Sequence, residues 1–178
     1  MTNLSDIELR EVVEGDISYL QRIYAYHVEK GSASFEEIPP DLDEMFRRWQ
    51  AIKKHGLPYI LAERKNHILG FAYAGPYRPR SAYRYTVEDS IYIDPASIRQ
   101  GIGRRLLIEL IARSTALGKR QMLAIIGDSA NLASIKLHAD LGFSSIGMFH
   151  SIGFKFGRWV DSVLMQKSLG DGHHTRPE

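Results

Sequence analysis

The chain has 178 residues, 44% of them hydrophobic and 25% charged, with a net charge of +2. That length suits one domain with a sizeable core, and the basic residues are too dispersed to give a nucleic-acid footprint. There is no cysteine, which excludes a disulfide framework, a cysteine-based metal site and a covalent cysteine acyl-enzyme. The polar start "MTNLSDIELR" does not read as a signal peptide, and no apolar run approaches the roughly 18 residues that span a bilayer. The expectation is a cytoplasmic protein that engages neither membrane nor nucleic acid. One domain is expected over residues 1–170, with a polar, disordered tail over 171–178.

In chain order, "IELREVVEGD" alternates apolar and polar residues and predicts an opening strand. Asp16 is the expected cap of a helix whose apolar side includes Ile17, Leu20, Ile23 and Tyr24. After the turn-rich "EKGSASFEEIPPD", Asp41 opens a second helix with Leu42, Met45, Phe46 and Trp49 at helical spacing. "YILAERKNHILGFAYAG" then reads as two strands about a turn at Lys65-Asn66. "PYRPRSAYRYT" is a loop, and "VEDSIYID" is a strand closed by Pro95. Leu106, Leu107, Leu110, Ile111 and Leu117 form the stripe of a third helix that stops at Gly118. "RQMLAII" predicts a buried strand. Asn131 caps a helix that Gly142 ends, and the remainder to Leu169 supplies the last strands. Strict strand–helix alternation is absent. The expected class is therefore α/β with a mixed, mainly antiparallel central sheet flanked by helices, not a doubly wound sheet.

The stretch "IDPASIRQGIGRRLL" places a glycine pair, Gly101-Ile102-Gly103, at a helix start and two arginines, Arg104 and Arg105, directly after it. Helix starts favour acidic side chains because the dipole end there is positive. Cations at that end suit a bound anion, which free N–H groups and the absent Cβ would admit. The pattern matches neither the dinucleotide nor the Walker motif, and a tight strand-to-helix turn with solvated arginines is the alternative. Seven scattered histidines without His-x-x-x-His spacing give no metal site.

With the strand before it and "SANLASIKLHADLGF" after it, this stretch resembles the GNAT N-acetyltransferase superfamily, over Ile7 to Leu169. The likeness narrows to the phosphinothricin and methionine sulfone acetyltransferase group. It is carried by Thr86-Val87-Glu88, Lys136-Leu137-His138 and Lys155-Phe156-Gly157-Arg158-Trp159. The resemblance implies a GNAT fold and direct acetyl transfer from acetyl-CoA to a small amino-acid-like amine, without a metal, and commonly in a homodimer. It implies Glu88 as the base that takes the amine proton, where the plain alternative is a strand glutamate paired with Arg78, Arg80 or Arg84. Ile91, Tyr92 and Ile93 would present backbone to the acetyl and pantetheine units. Arg99, Gln100, Gly101, Ile102, Gly103 and Arg104 would hold the pyrophosphate, and Asn131 and Ser134 would contact CoA. His138 occupies the place where many members carry a tyrosine acid; it is read either as that acid or as a structural histidine. Phe35, Glu37, Arg78, Pro79, Arg80 and Lys155 would border the amine, with arginine pairing a substrate carboxylate.

Two departures stand out. Ile98 replaces the usual Gln or Arg three positions before the first glycine, and Arg99 stands where glycine is frequent. The usual Trp-Asn-Glu is Phe35-Glu36-Glu37. Two other readings stay open on sequence: a non-catalytic CoA-binding module, and an acetyltransferase for a protein N-terminus or lysine.

Overall fold

The computed structural model describes residues 6–177; residues 1–5 and 178, and the parts of the sequence reading that fall on them, lie outside the described residues. The strands are β1 (Glu8–Glu11), β2 (Tyr59–Arg64), β3 (His67–Pro76), β4 (Thr86–Ile93), β5 (Gln121–Gly127), β6 (Ser144–Lys155) and β7 (Arg158–Ser168). The helices are α1 (Ile17–Lys30), α2 (Leu42–Lys54), α3 (Ile102–Ala116) and α4 (Leu132–Asp140). One sheet runs in the order β1-β2-β3-β4-β5-β7-β6, and β4 with β5 is its parallel pair. This is the mixed, mainly antiparallel sheet expected.

Two cores separate the layers. On one face α3 packs Ile102, Leu106, Leu107 and Leu110 against Ala72, Val87, Met122 and Ala124. On the other, α1 and α2 bury Leu20, Tyr24, Met45 and Trp49 against Tyr59, Phe71 and Tyr92. The period of two therefore decides what each β4 residue meets. Val87, Ile91 and Ile93 turn to the α3 side and Tyr92 to the α1–α2 side.

Turn chemistry follows sequence in most places. Lys65 and Asn66 both have positive φ, at 47° and 64°, the requirement of a two-residue hairpin turn. Asp41 accepts the Glu44 N–H at 2.8 Å and Asn131 accepts that of Ser134 at 3.2 Å, so both caps form as expected. Asp16 does not cap α1. It closes a 3-10 turn, Glu14–Asp16, where it accepts the Val13 N–H and forks with Arg10 at 2.7 and 2.9 Å. A strong cation within reach outcompetes a cap hydrogen bond for the same carboxylate. Leu117 also falls outside α3 and is half-exposed. Residues 170–175 form turns and bends: Asp171 pairs with Arg120 at 3.3 Å and accepts the Thr175 hydroxyl at 3.2 Å.

Candidate active site

β4 and β5 pair from Thr86↔Gln121 to Glu88↔Leu123 and then diverge. Their outer edges stay bonded, β4 to β3 through Ile93 and β5 to β7 through Gly127. The inner edges are left facing each other across a wedge. A strand edge without a ladder partner is a row of free N–H and C=O groups, a template for an extended, amide-bearing molecule. A cavity of about 140 Å³ occupies the wedge, lined by Glu88 to Tyr92, Ala124 to Gly127, Ala33, and Asn131, Ser134 and His138 of α4.

Glu88 stands at the apex, where the strands part. Burial, with a smaller push from neighbouring Asp89, raises its carboxyl to about 7. A carboxylate at that value is matched to removing a proton near neutral pH. One residue on, Asp89 points to the opposite face and meets His138 Nε2 at 3.0 Å. The other ring nitrogen, Nδ1, lies 2.7 Å from the Ser134 carbonyl, and the ring stands edge-on to Phe143.

At the far end of β4, His27 Nε2 donates to the Ile93 carbonyl at 2.8 Å. The chain then turns through Pro95–Ser97 into the α3 start. Arg99 (φ 59°) and Gly101 (φ 75°) both adopt the left-handed conformation. Gly101 is the residue before α3, so the N–H groups of Ile102, Gly103 and Arg104 open outward from the helix end. Arg104 is exposed there. The Gln100 side chain is held by Arg64 Nη1 at 3.2 Å. Free N–H groups at a helix start beside an exposed arginine form an environment that favours an anion.

The connection between α1 and α2 is pinned over the wedge. Lys155, buried, donates to the Gly31 carbonyl at 2.8 Å and the Ser34 carbonyl at 2.6 Å. Ser32 donates to Asp128 at 3.1 Å, which Arg158 also grips. Glu36 accepts from Arg48 at 2.7 Å and from the Tyr24 hydroxyl at 3.1 Å. The backbone comes so close that a Cβ at Gly127 would lie 2.1 Å from the Ser32 carbonyl oxygen.

The structure thus gathers Glu88, Ile91, Tyr92, Asn131, Ser134 and His138 on one cavity. Ile93 and the segment Arg99 to Arg104 continue from its end. Phe35 and Glu37 sit on the pinned connection, both exposed, and Lys155 reaches it from the end of β6, its ammonium held by backbone carbonyls. Arg78, Pro79 and Arg80 line a separate cavity of about 220 Å³ with His55, Tyr83 and Lys119, and do not reach the first. Asp89, Asp128, His27 and Arg64 were not singled out by the sequence. Asp89 and His138 are 49 residues apart, and no local motif signals that pairing.

The sequence and the fold both match known proteins. Residues 20–143 match the model of the "Acetyltransferase (GNAT) family". The chain is 54% identical to phosphinothricin N-acetyltransferase of Alcaligenes faecalis, over 96% of this chain and 86% of that protein. It is 35% identical to L-methionine sulfoximine/L-methionine sulfone acetyltransferase of Salmonella typhimurium, over 96% and 98%. Among solved structures, a GNAT superfamily phosphinothricin acetyltransferase from Sinorhizobium meliloti in complex with AcCoA superposes with a TM-score of 0.94. That structure shares 44% identity over 97% of this chain and 94% of its own.

Proposed function

The chain belongs to the acetyltransferase (GNAT) family, and we propose that it moves the acetyl group of acetyl-CoA to the amine of a small amino acid or analogue. The analogues meant are of the phosphinothricin, methionine sulfone or methionine sulfoximine type. The observation that carries this reading is the wedge that opens at Glu88, with a carboxyl near pH 7 at its apex. The named relatives act on substrates of that type.

The residues present fit acetyl-CoA. The inner edge of β4 at Ile91, Tyr92 and Ile93 offers backbone groups to the amides of the pantetheine arm, as an added strand would use them. Gly101, Ile102 and Gly103 aim N–H groups at the pyrophosphate, and Arg99, Gln100 and Arg104 supply charge and a hydrogen-bonding side chain beside it. Asn131 and Ser134 lie on the cavity wall beyond. Glu88, facing the α1–α2 side, takes the amine proton directly or through water. The amine nitrogen then bonds the carbonyl carbon, the carbon–sulfur bond breaks with the electron pair on sulfur, and the nitrogen gives up its remaining extra proton to solvent as the amide forms. Phe35, Glu37 and Lys155 shape the amine side through the pinned connection. Arg78 and Arg80, in the separate cavity they line with Pro79, would meet only a substrate carboxylate that extends out of the wedge, for which their guanidinium groups are suited. No metal takes part in this scheme.

We place the enzyme in the cytoplasm, in keeping with the co-substrate; among the described residues no helix is long and apolar enough to cross a membrane. We also read it as a homodimer. β6 is an edge strand, with Ile146, Phe149, Ile152 and Phe154 exposed along it and Trp159 exposed beside it. An apolar edge of that kind needs cover.

The test is thiol release from acetyl-CoA across a panel of amines. Turnover with phosphinothricin, methionine sulfone or methionine sulfoximine, and weak turnover with peptides, is expected. Silence across the amino-acid panel with intact CoA binding would overturn the reading.

A further inference from the structure

Both ring nitrogens of His138 face oxygen atoms of the protein. The Ser134 carbonyl can only accept, so at 2.7 Å the facing Nδ1 carries a proton. The other nitrogen lies 3.0 Å from Asp89 Oδ2. A neutral ring with its proton on Nδ1 would aim a lone pair at a carboxylate lone pair, an arrangement that repels. A proton must therefore sit between Nε2 and Oδ2, and the imidazole, the more basic of the two groups, holds it. The second Asp89 oxygen is buried with no hydrogen-bond partner among the described residues, so His138 is what neutralises the carboxylate. Both side chains are almost wholly buried, with 4% and 3% of their surface exposed, and an unpaired charge there would be costly.

The geometry points to Asp89 as a positioning residue that holds the His138 ring doubly protonated, so that the α4 wall of the cavity carries an imidazolium fixed by a carboxylate. Burial alone would lower the ring's pKa, but the Asp89 hydrogen bond and charge and the Ser134 carbonyl outweigh it, and the value lies above the ordinary one. The titratable groups of the cavity are Glu88, Asp89, Tyr92 and His138. Glu88 is on the neighbouring β4 residue but the opposite face, and Phe143, which meets the ring's edge, does not titrate. Because both N–H groups are engaged by the protein, His138 has none to hand to a leaving group. It acts through the imidazolium end of that pair, which favours the negative charge that develops on sulfur as the carbon–sulfur bond breaks. The sulfur then takes its proton from water. The catalytic consequence rests on the acetyl-transfer reading; the protonation state does not.

The experiment uses nitrogen NMR of histidine-labelled protein without ligand, together with steady-state kinetics. In the wild type at pH 7, His138 should show a proton on both nitrogens. In Asp89→Asn, which conserves shape, the ring should be neutral at pH 7 with its proton on Nδ1. The kcat of that variant should fall roughly tenfold or more, with the KM for acetyl-CoA unchanged. A neutral His138 in the wild type at pH 7 overturns the inference without any variant being needed. An unchanged kcat in a folded Asp89→Asn overturns its catalytic part. If the wild type acetylates no amine, the proposed function fails while the NMR result still decides the state of the pair.

Discussion

Glu88 has opposite consequences for stability and for activity. In the unfolded chain its carboxyl ionises near 4.5, whereas in the folded protein it keeps its proton to about 7. Between those values the folded state binds more protons, so its stability falls as pH rises. Above 7 the folded protein holds a carboxylate its surroundings disfavour. His138 adds to the same trend: its pKa is raised on folding, so the stability it contributes is present below its ordinary value and is lost as pH rises through the folded one. Glu88→Gln should therefore stabilise the ligand-free protein at pH 8 by about 2 kcal/mol, allowing for partial exposure. At pH 4 it should change little. Thermal denaturation at both pH values checks this; equal shifts at the two would contradict it. Arg99 stands under a comparable tension. Its left-handed backbone is a strain that glycine would relieve, worth about 1 kcal/mol, yet it places a cation beside the α3 start. Arg99→Gly should raise the Tm by a few degrees and raise the KM for acetyl-CoA severalfold, leaving the KM for the amine alone.

At the scale of elements, the wedge depends on what holds its two flanks. β3 and β7 fix β4 and β5 from outside, while the α1–α2 connection is drawn down by Lys155, Asp128 and the Glu36–Arg48 pair. Gly127→Ala would drive a methyl group into the Ser32 carbonyl, so the connection must lift. The expected result is a higher KM for the amine and a lower Tm, with the KM for acetyl-CoA less affected; the same Tm and both KM values unmoved would show the close approach to be unimportant. This scale is also where sequence reading succeeded and stopped. Helices α1 to α4 and the hairpins were legible because burial is periodic and caps are local: Asp41 and Asn131 bond three residues ahead. The pins were not, because Lys155 reaches carbonyls 124 and 121 residues away. Asp16 looked like a cap from its neighbours, and only the proximity of Arg10 redirected it. Glu88, Asn131 and His138 were found through motif resemblance, and Asp89, next to one and paired with another, was hidden because its partner lies on a different element.

At the scale of the whole molecule, the exposed apolar edge of β6 and the acid-shifted stability belong together with the site. A protein with this edge buried in a homodimer should dissociate when Trp159 or Phe154 becomes charged, and sedimentation of Trp159→Lys checks that; a wild-type monomer would remove the dimer. The pH of greatest stability should lie below neutrality, whereas turnover needs ionised Glu88 and so rises through pH 7. The most direct test of Glu88 as the base at the wedge apex is the pH dependence of kcat/KM for acetyl transfer, measured for wild type and Glu88→Gln. The wild type should show a limb rising to a plateau with its midpoint near pH 7, and the variant should lose that limb and about 100-fold or more of its rate. A variant that keeps the wild-type rate and the same limb would contradict the account.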